Sequence, residues 1–342
     1  MKQMSRRERL QAAIARQPVD RVPYAVWRHF PAVDRSPAGL AQATLRFHEH
    51  YGSDFLKITP RGGYGVEAWG CVESDQVLPT GHRACASCAV KTGDDWKRIQ
   101  ALDPASAPGW VEELETIIRL GFDRRIGDAP VLPTLFSPLS LARKLSGDRL
   151  AQDLRERPDA VAGALEAITD TLIRFADLAL REGVSGVFYS IQTASRSVLG
   201  EEQYAEFGEP YDRRVLEAIH PRSFLTVIHC HGDGLMFERL ARLPGHVWNW
   251  DDRAAGPPLA EGRTLVPGAV CGGLDQVRTL RGGTPEAAAA EAREAVAQTG
   301  GTGVIVAPGC VLMAGTPDGT VAAVIKALGG PLKPIPGLKP ES

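Results

Sequence analysis

Residues 224–252 read FLTVIHCHGDGLMFERLARLPGHVWNWDD, and this stretch contains the pattern that predicts the fold. Two short, largely apolar runs, residues 224–230 and 247–252, stand on either side of a helix-patterned segment, residues 234–243. A strand, a crossover helix and a second strand form the unit from which parallel sheets are built. The nearly continuous apolar character of both runs agrees, because parallel strands are covered on both faces.

The same alternation continues along the chain. Six further strand-like runs cover residues 22–27, 55–60, 131–136, 186–191, 269–275 and 303–310. Helix-patterned stretches separate them, including residues 36–51, 110–120, 157–182, 201–219, 284–298 and 317–328. Eight strand runs alternating with helices predict an α/β protein, a single (β/α)8 TIM barrel over residues 1–342. An open doubly wound sheet is the alternative, but it would need a glycine-rich turn where residues 28–31 read RHFP.

One segment breaks this regular spacing. Residues 62–129 hold three strand-like pieces, at residues 67–73, 76–78 and 84–91, and then helix-patterned sequence. We interpret the segment as an insertion of hairpins and two helices after the second predicted strand. Such an insertion lies near the mouth of a barrel, which predicts a lid or an interface element.

The composition excludes several classes of protein. The chain has 39 basic and 41 acidic residues, a net charge of −2, so neither nucleic acid nor an anionic membrane is an expected partner. No apolar run approaches the roughly 18–20 residues of a membrane span, and residues 1–16 lack the apolar core of a signal peptide. Six cysteines without a secretion signal indicate reduced thiols. We expect a cytoplasmic enzyme with a small-molecule substrate.

Polar side chains gather where the predicted strands end. The carboxyl ends of barrel strands carry the active site in enzymes of this architecture, so these residues predict one. The positions include Trp27, Arg28, His29, Arg61, Gln192, His229, His231, Asp251, Asp252 and Cys310.

Three of these positions, His229, His231 and Cys310, predict a metal site. Side chains alternate along a strand, so His229 and His231 point to one side and Cys230 to the other. Barrel closure brings Cys310, at the end of the last predicted strand, toward the same mouth. Two imidazoles and a thiolate with one open position form a recognised catalytic zinc arrangement. The alternative is that both histidines only make hydrogen bonds and that Cys310 packs in the interior.

The remaining candidates each have two interpretations. Arg28 and His29 are suited to an acidic substrate group, or to an ion pair with a nearby aspartate. Asp251 and Asp252 could work as acid–base groups or orient a ligating histidine.

Cys85 and Cys88 form a CxxC pair in strand-like sequence. Residues three apart on a strand face opposite sides, so we expect packing cysteines here rather than a structural zinc or redox site.

Several short motifs resemble those of the uroporphyrinogen decarboxylase superfamily, which also includes zinc-dependent corrinoid:thiol methyltransferases. They are RRERL at residues 6–10, PVDRVP at 18–23, FSPLSLARKL at 136–145, FGEPY at 207–211, HCHG at 229–232 and APGC at 307–310. The resemblance covers nearly the whole chain and implies a (β/α)8 barrel. Relatives in this superfamily are often homodimers.

The resemblance is nearer to the methyltransferases than to the true decarboxylases. The decarboxylases carry an arginine-rich loop after the first strand and an aspartate after the second, where this chain has RHFP and Thr59-Pro60-Arg61. The methyltransferases hold zinc with a His-x-Cys pair and a distant cysteine. His229 and Cys310 match the first and last ligands, whereas His231 replaces the middle cysteine. A histidine still binds zinc, but the replacement removes one negative charge.

The resemblance thus implies a methyl or alkyl transferase whose zinc, bound by His229, His231 and Cys310, activates a thiol or similar acceptor. The methyl donor would be a corrinoid carried by a separate protein, because the chain has no Asp-x-His-x-x-Gly corrinoid motif. One alternative is a metal-free decarboxylase of a tetrapyrrole or smaller carboxylate, with Arg28, Arg61 and His29 binding carboxylates. The other is a non-catalytic barrel that binds a corrinoid protein or a small ligand.

Overall fold

The computed structural model describes residues 3–121 and 123–333 of the chain. The strands in these residues are β1 (Leu56–Ile58), β2 (Val72–Val77), β3 (Arg83–Ser87), β4 (Val131–Phe136), β5 (Gly186–Ile191), β6 (Leu225–Cys230), β7 (Val247–Trp250), β8 (Ala269–Leu274) and β9 (Val304–Pro308). The α-helices are α1 (Arg6–Ile14), α2 (Pro37–Tyr51), α3 (Trp110–Gly121), α4 (Pro138–Ser146), α5 (Leu150–Glu156), α6 (Pro158–Arg181), α7 (Glu201–Phe207), α8 (Glu209–Ile219), α9 (Phe237–Leu240), α10 (Leu259–Leu265), α11 (Pro285–Thr299) and α12 (Asp318–Ala327). None of the described helices is long and apolar enough to cross a membrane.

Seven parallel strands form a curled sheet in the order β1-β4-β5-β6-β7-β8-β9. Helices follow the strands along the chain, which confirms the predicted α/β class with a parallel sheet. The strand register places Ser190, His229 and Asn249 side by side on β5, β6 and β7. Polar groups at one level of neighbouring strands are therefore close in space although they lie far apart in the sequence.

Alternation along each strand separates two buried layers. On β6, Leu225 and Val227 belong to the apolar cluster inside the curl of the sheet, whereas Ile228 and Cys230 belong to the cluster between sheet and helices. His229 continues the inward row, and Cys230 packs outward, as predicted. The thiol of Cys230 is consequently buried on the helix side of the sheet, away from the side that His229 faces.

The first predicted strand, residues 22–27, is an extended segment and not a strand. Tyr24 makes only an isolated parallel bridge to Val306 of β9. On the opposite side, two backbone N–H groups bond to side chains, Tyr24 N to Asp54 Oδ2 (2.9 Å) and Val26 N to Ser53 Oγ (3.2 Å). Side-chain oxygens thus replace the carbonyls of a neighbouring strand, and the regular ladder is absent. The segment still connects β9 with the start of β1, because Asp54 N donates to Tyr24 O at 2.8 Å.

Two helix predictions also differ from the structure. Residues 201–219 form two helices, α7 and α8, because Pro210 in the first turn of α8 has no N–H to continue α7. In residues 234–243 only α9 is helical. Gly234 has a φ of 59°, outside the helical region, and Pro244 follows the segment.

Residues 62–129 contain fewer elements than predicted. An antiparallel hairpin, β2 with β3, replaces the three predicted strand pieces, and Glu67–Trp69 is a 3-10 turn. One α-helix, α3, stands where two were predicted, accompanied by short 3-10 turns at Asp95–Arg98 and Arg124–Ile126. The loop between β2 and β3 carries Thr80 and His82, both of which line a cavity at the strand ends.

Candidate metal centre

Three predicted ligands meet at the carboxyl ends of β6 and β9. One ligand atom each from His229, His231 and Cys310 lies within 4.8 Å of the others. Cys310 Sγ is 3.8 Å from His231 Nδ1. His229 is buried, Cys310 is half-buried and His231 is exposed, so the cluster opens to the outside on the His231 side. The arrangement offers two nitrogens and one sulfur to a cation with room for a further ligand.

Asn249 fixes the orientation of His229. Asn249 Nδ2 donates to the carbonyls of Cys271 (2.9 Å) and Pro308 (3.1 Å), which turns its oxygen toward His229. His229 Nδ1 donates to that oxygen at 2.6 Å. The proton is therefore on Nδ1, and the lone pair of Nε2 is available to a metal. A ligating histidine in a metalloprotein characteristically donates its other N–H in this manner, so the donor set fits a zinc ion.

Charge in the cluster is shared between the thiol and the histidines. Burial alone would raise the pKa of the Cys310 thiol, but its interactions with the neighbouring His229 and His231 lower it well below the usual range. The hydrogen bond to Cys310 correspondingly raises the pKa of His231. The lowered pKa of Cys310 favours its thiolate, which is the form that binds metals.

A cavity of about 260 Å³ lies over the cluster. Its wall includes two lysines, Lys57 on β1 and Lys144 on α4. Burial lowers the pKa of Lys57 to about 7 and that of Lys144 to about 8. Lys57 Nζ donates to Thr59 Oγ1 at 3.2 Å and lies 4.7 Å from the centre of the Phe188 ring.

Three of the predicted substrate and catalytic residues line this cavity: Trp27, His29 and Gln192. Trp27 packs edge-on against Phe188, with 5.2 Å between ring centres. His29 faces His82 with 6.0 Å between ring centres, and its Nδ1 is buried without a hydrogen-bond partner. Burial, together with the nearby charge of Lys57, lowers the pKa of His29 well below its usual range, so the ring is neutral.

The two predicted arginines lie elsewhere. Arg28 lines a small crevice beside Phe30 and Phe47, outside the cavity of the metal cluster. Arg61 lines a second, larger cavity and is bonded to Glu67, Glu73 and Glu112. Its charge is thus balanced by the protein itself.

The two aspartates after β7 do not line the cavity either. Asp251 accepts hydrogen bonds from Gln276 Nε2 (2.7 Å) and Ala254 N (3.0 Å). The α-carbon of Asp251 packs so closely against Gly309 that a Cβ there would be 2.5 Å from it, so only glycine fits beside Cys310. Asp252 Oδ1 accepts from Gly273 N at 2.7 Å, and burial raises its pKa to about 6.

Three residues of the site, Asn249, Lys57 and Lys144, were not predicted from the sequence. Asn249 and Lys57 are polar residues inside otherwise apolar strand runs, and this feature could have identified them as candidate site residues. Lys144 lies in the last turn of α4, where a basic residue is ordinary, so its position carried no such signal.

The chain is similar to known proteins over nearly its whole length. The sequence profile of the family described as "Uroporphyrinogen decarboxylase (URO-D)" matches residues 5–330. A "Methylcobamide:CoM methyltransferase MtbA" of Methanosarcina mazei is 24% identical, covering 95% of this chain and 98% of that protein. A "Uroporphyrinogen decarboxylase" of Anaeromyxobacter dehalogenans is 27% identical, covering 94% and 97%.

The fold is similar to that of a solved "methyltransferase from Methanosarcina mazei". The two structures superpose with a TM-score of 0.79 over 96% of this chain and 99% of the other, at 19% sequence identity. At this identity the likeness establishes the shared fold and leaves the chemistry to the residues of the site.

Proposed function

The chain belongs to the uroporphyrinogen decarboxylase family, and we propose that it is a zinc-dependent transferase that moves a methyl or similar alkyl group to a thiol. The observation that carries the proposal is the cluster of His229, His231 and Cys310, whose ligand atoms lie within 4.8 Å of one another. The MtbA relatives, named for transfer from a methylcobamide to CoM, support the same reaction class. In this proposal the curled sheet and residues 22–27 together form a (β/α)8 barrel with the site at its mouth.

A zinc ion bound by the three ligands would supply Lewis acidity that favours the thiolate form of the acceptor. Asn249 holds His229 in the orientation that this role needs, and the two histidine neighbours lower the pKa of Cys310. His29 is neutral and lines the same cavity, so we assign to it a hydrogen bond to the acceptor thiol, whose proton passes to solvent. Asp252 bonds to Gly273 of β8 and Asp251 packs against Gly309 after β9, so both aspartates support the strand ends beside the site.

The transfer itself needs no further oxidant or reductant. A lone pair of the acceptor sulfur attacks the methyl carbon, a sulfur–carbon bond forms, and the carbon–donor bond breaks with its electron pair left on the donor. If the donor is a methylcobamide, as in the names of the relatives, that pair remains on cobalt. The corrinoid would arrive on a separate protein. A cavity of about 260 Å³ has room for a small acceptor and not for a corrinoid as well.

Lys57 and Lys144 indicate the chemistry of the acceptor. Each lies close to an aromatic ring, 4.7 Å from the centre of Phe188 and 4.4 Å from that of Phe136. In the described residues, neither has a carboxylate within salt-bridge distance. A buried ammonium group without a counter-ion is stabilised by an anion. The acceptor is therefore a small thiol with an anionic group at its other end.

Metal content is the first test. The native protein, purified without added metal or chelator, should contain about one zinc per chain by mass spectrometry, and the His231→Ala variant should contain little. The zinc protein should then methylate an anionic thiol when methylcobalamin is supplied.

Two outcomes would favour the alternatives. No zinc even after incubation with zinc under reducing conditions would reject the metal-centred reaction, and release of CO2 from a tetrapyrrole or smaller carboxylate would support a decarboxylase. Zinc without turnover on any thiol would support a non-catalytic barrel that binds a corrinoid protein or small ligand.

A further inference from the structure

The sulfur atoms of Cys85 and Cys88 are only 3.7 Å apart. The sequence predicts that these thiols face opposite sides of a strand, and the structure corrects this expectation. We call the two residues the Cys85–Cys88 pair. It belongs to the hairpin of β2 and β3 and takes no part in the metal centre.

An irregularity in the hairpin explains the approach of the two thiols. Val72 is opposite Ser87, but the next residue of β2, Glu73, is opposite Cys85, so β3 contains one extra residue at Ala86. A bulge of this kind inverts the alternation of side chains beyond it. Residues three apart, which would normally face opposite sides, are thereby brought to the same side.

The surroundings of the pair make the two thiols unequal. Cys85 is exposed and lines a cavity of about 590 Å³, whereas Cys88 is half-buried. Burial, and then the neighbouring Cys85, raise the pKa of Cys88 to about 11. An accessible sulfur thus stands beside a partner that keeps its proton, which is the division of roles in CxxC sites that exchange disulfides.

We propose that the Cys85–Cys88 pair is a thiol–disulfide exchange site that reacts with small-molecule disulfides. The thiolate of Cys85 attacks one sulfur of the disulfide RSSR, so that a Cys85–SR bond forms and RS⁻ leaves. Cys88 loses its proton to solvent and attacks Cys85 Sγ, which forms the internal disulfide and releases the second RS⁻. Two electrons pass from the pair to RSSR, giving one internal disulfide and two RSH.

The geometry requires only a small movement. The two sulfur atoms must close from 3.7 Å to about 2.0 Å. The strand ends at Ser87, so Cys88 lies beyond the ladder and can move toward Cys85 without breaking a strand hydrogen bond.

The Cys85–Cys88 pair lies close to α4, the helix that carries Lys144, so formation of the disulfide would take place against this helix. Val90 N donates to Leu145 O at 2.9 Å, and the Cys88 sulfur faces Gly147 at the end of α4. Lys144 lies on this helix and lines both cavities. The Cys88 side of the pair therefore packs against the helix that forms the wall between the two cavities.

One tryptic peptide tests the proposal. Cleavage after Arg83 and Lys91 releases ACASCAVK, residues 84–91, which contains Cys85 and Cys88 and no other cysteine. The zinc-loaded full chain is equilibrated with mixtures of reduced and oxidised glutathione, alkylated and digested. We expect the peptide to change from doubly alkylated to unalkylated and lighter by two hydrogens, with more than about half converted in the most oxidising mixture.

Single variants separate exchange from unspecific oxidation. Cys88→Ser should accumulate glutathione on Cys85, because the resolving thiol is missing, and Cys71→Ser should behave as the native chain does. Zinc content, measured in the same samples, reports separately on Cys310. A peptide that stays doubly alkylated in oxidised glutathione, or one that carries glutathione on both cysteines of the native chain, would overturn the proposal.

Discussion

Two neighbouring cavities differ in how their charged groups are used. The larger, of about 590 Å³, is lined by arginines that are already bonded to carboxylates, such as Arg61 with three glutamates and Arg83 with Asp34. The smaller, of about 260 Å³, contains the cluster of His229, His231 and Cys310 and two lysines without a carboxylate partner in the described residues. Gly62, His82 and Lys144 belong to the walls of both.

The difference indicates that the volume of a cavity alone does not identify a functional site. A guanidinium that is surrounded by glutamates gains little from a ligand, because binding must first separate the existing pairs. An ammonium group without a carboxylate partner gains more from binding an anion. The cluster of His229, His231 and Cys310 gains in the same way from binding a cation. We therefore expect changes in the smaller cavity to act on binding and turnover, and changes in the larger one to act on stability.

Replacing Cys310 should have the largest effect. In Cys310→Ser the thiolate is lost, and a neutral hydroxyl binds zinc far more weakly. We expect zinc content to fall to a small fraction and methyl transfer to drop by more than about a hundredfold. The matched control is Cys85→Ser, the same substitution in the larger cavity, which should retain zinc. Equal zinc loss in both variants would contradict the division between the cavities.

Replacing Asn249 should have the next largest effect. In Asn249→Ala the N–H of His229 Nδ1 loses its acceptor, and the ring is free to change tautomer and orientation. We expect zinc affinity, measured by competition with a chelator, to fall by about 10- to 100-fold. Ser190, opposite His229 on β5, gives the control Ser190→Ala, for which we expect a smaller change. Unchanged affinity in Asn249→Ala would show that the hydrogen bond does not orient the ligand.

Much of the fold, and the convergence of His229, His231 and Cys310, could be predicted from the sequence. The parallel strands have continuous apolar runs, and the 2-residue alternation correctly placed His229 inward and Cys230 outward. The first strand could not be predicted, because whether Tyr24 and Val26 find carbonyls or the side chains of Asp54 and Ser53 depends on tertiary contacts.

The rest of the site depends on distances that no local pattern contains. Arg28 and Arg61 have the residue type expected for anion binding, but Arg61 is bonded to glutamates from three different segments. Lys144 is an ordinary helix C-terminal lysine in the sequence, and only the packing of α4 brings it to the cavity. The convergence of Cys85 and Cys88 depends on one bulged residue, which strand alternation alone could not predict.

Replacing Lys57 should act on the acceptor and leave the metal in place. Lys57→Met retains the unbranched side chain beside Phe188 and removes the charge. A hydrogen bond to a charged group contributes about 1.5–3 kcal/mol, so we expect KM for an anionic thiol to rise by about 10- to 100-fold. The KM of a neutral thiol should change little, and zinc content should stay the same.

The larger cavity offers the contrasting variant. Arg61→Met leaves three glutamates without their common partner, so we expect a lower melting temperature and an almost unchanged KM. If Arg61→Met raised KM for the anionic thiol as much as Lys57→Met does, the assignment of the acceptor to the smaller cavity would be wrong.

The smallest effect concerns Glu113, a carboxyl group on α3 that is buried outside both cavities. Its Oε1 has no hydrogen-bond partner, and burial raises its pKa to about 8 although the positive charge of Lys57 acts in the opposite direction. In the unfolded chain the same carboxyl titrates near 4.5. Between these values the folded chain binds a proton that the unfolded chain has released, so this group lowers stability as pH rises from about 4.5 to 8.

Glu113→Gln removes that dependence, because the amide is neutral at every pH. We expect its free energy of unfolding in urea, relative to the native chain, to increase by about 1–3 kcal/mol between pH 5 and pH 8. Glu115→Gln, on an exposed position of the same helix, should differ from the native chain by a constant few tenths of a kcal/mol. If the free energy of unfolding depended on pH in the same way for Glu113→Gln and the native chain, Glu113 would ionise normally, with Lys57 as its ion-pair partner. Lys57 would then not be free to bind the acceptor. Only Lys144 would remain as a lysine without a carboxylate partner in the smaller cavity.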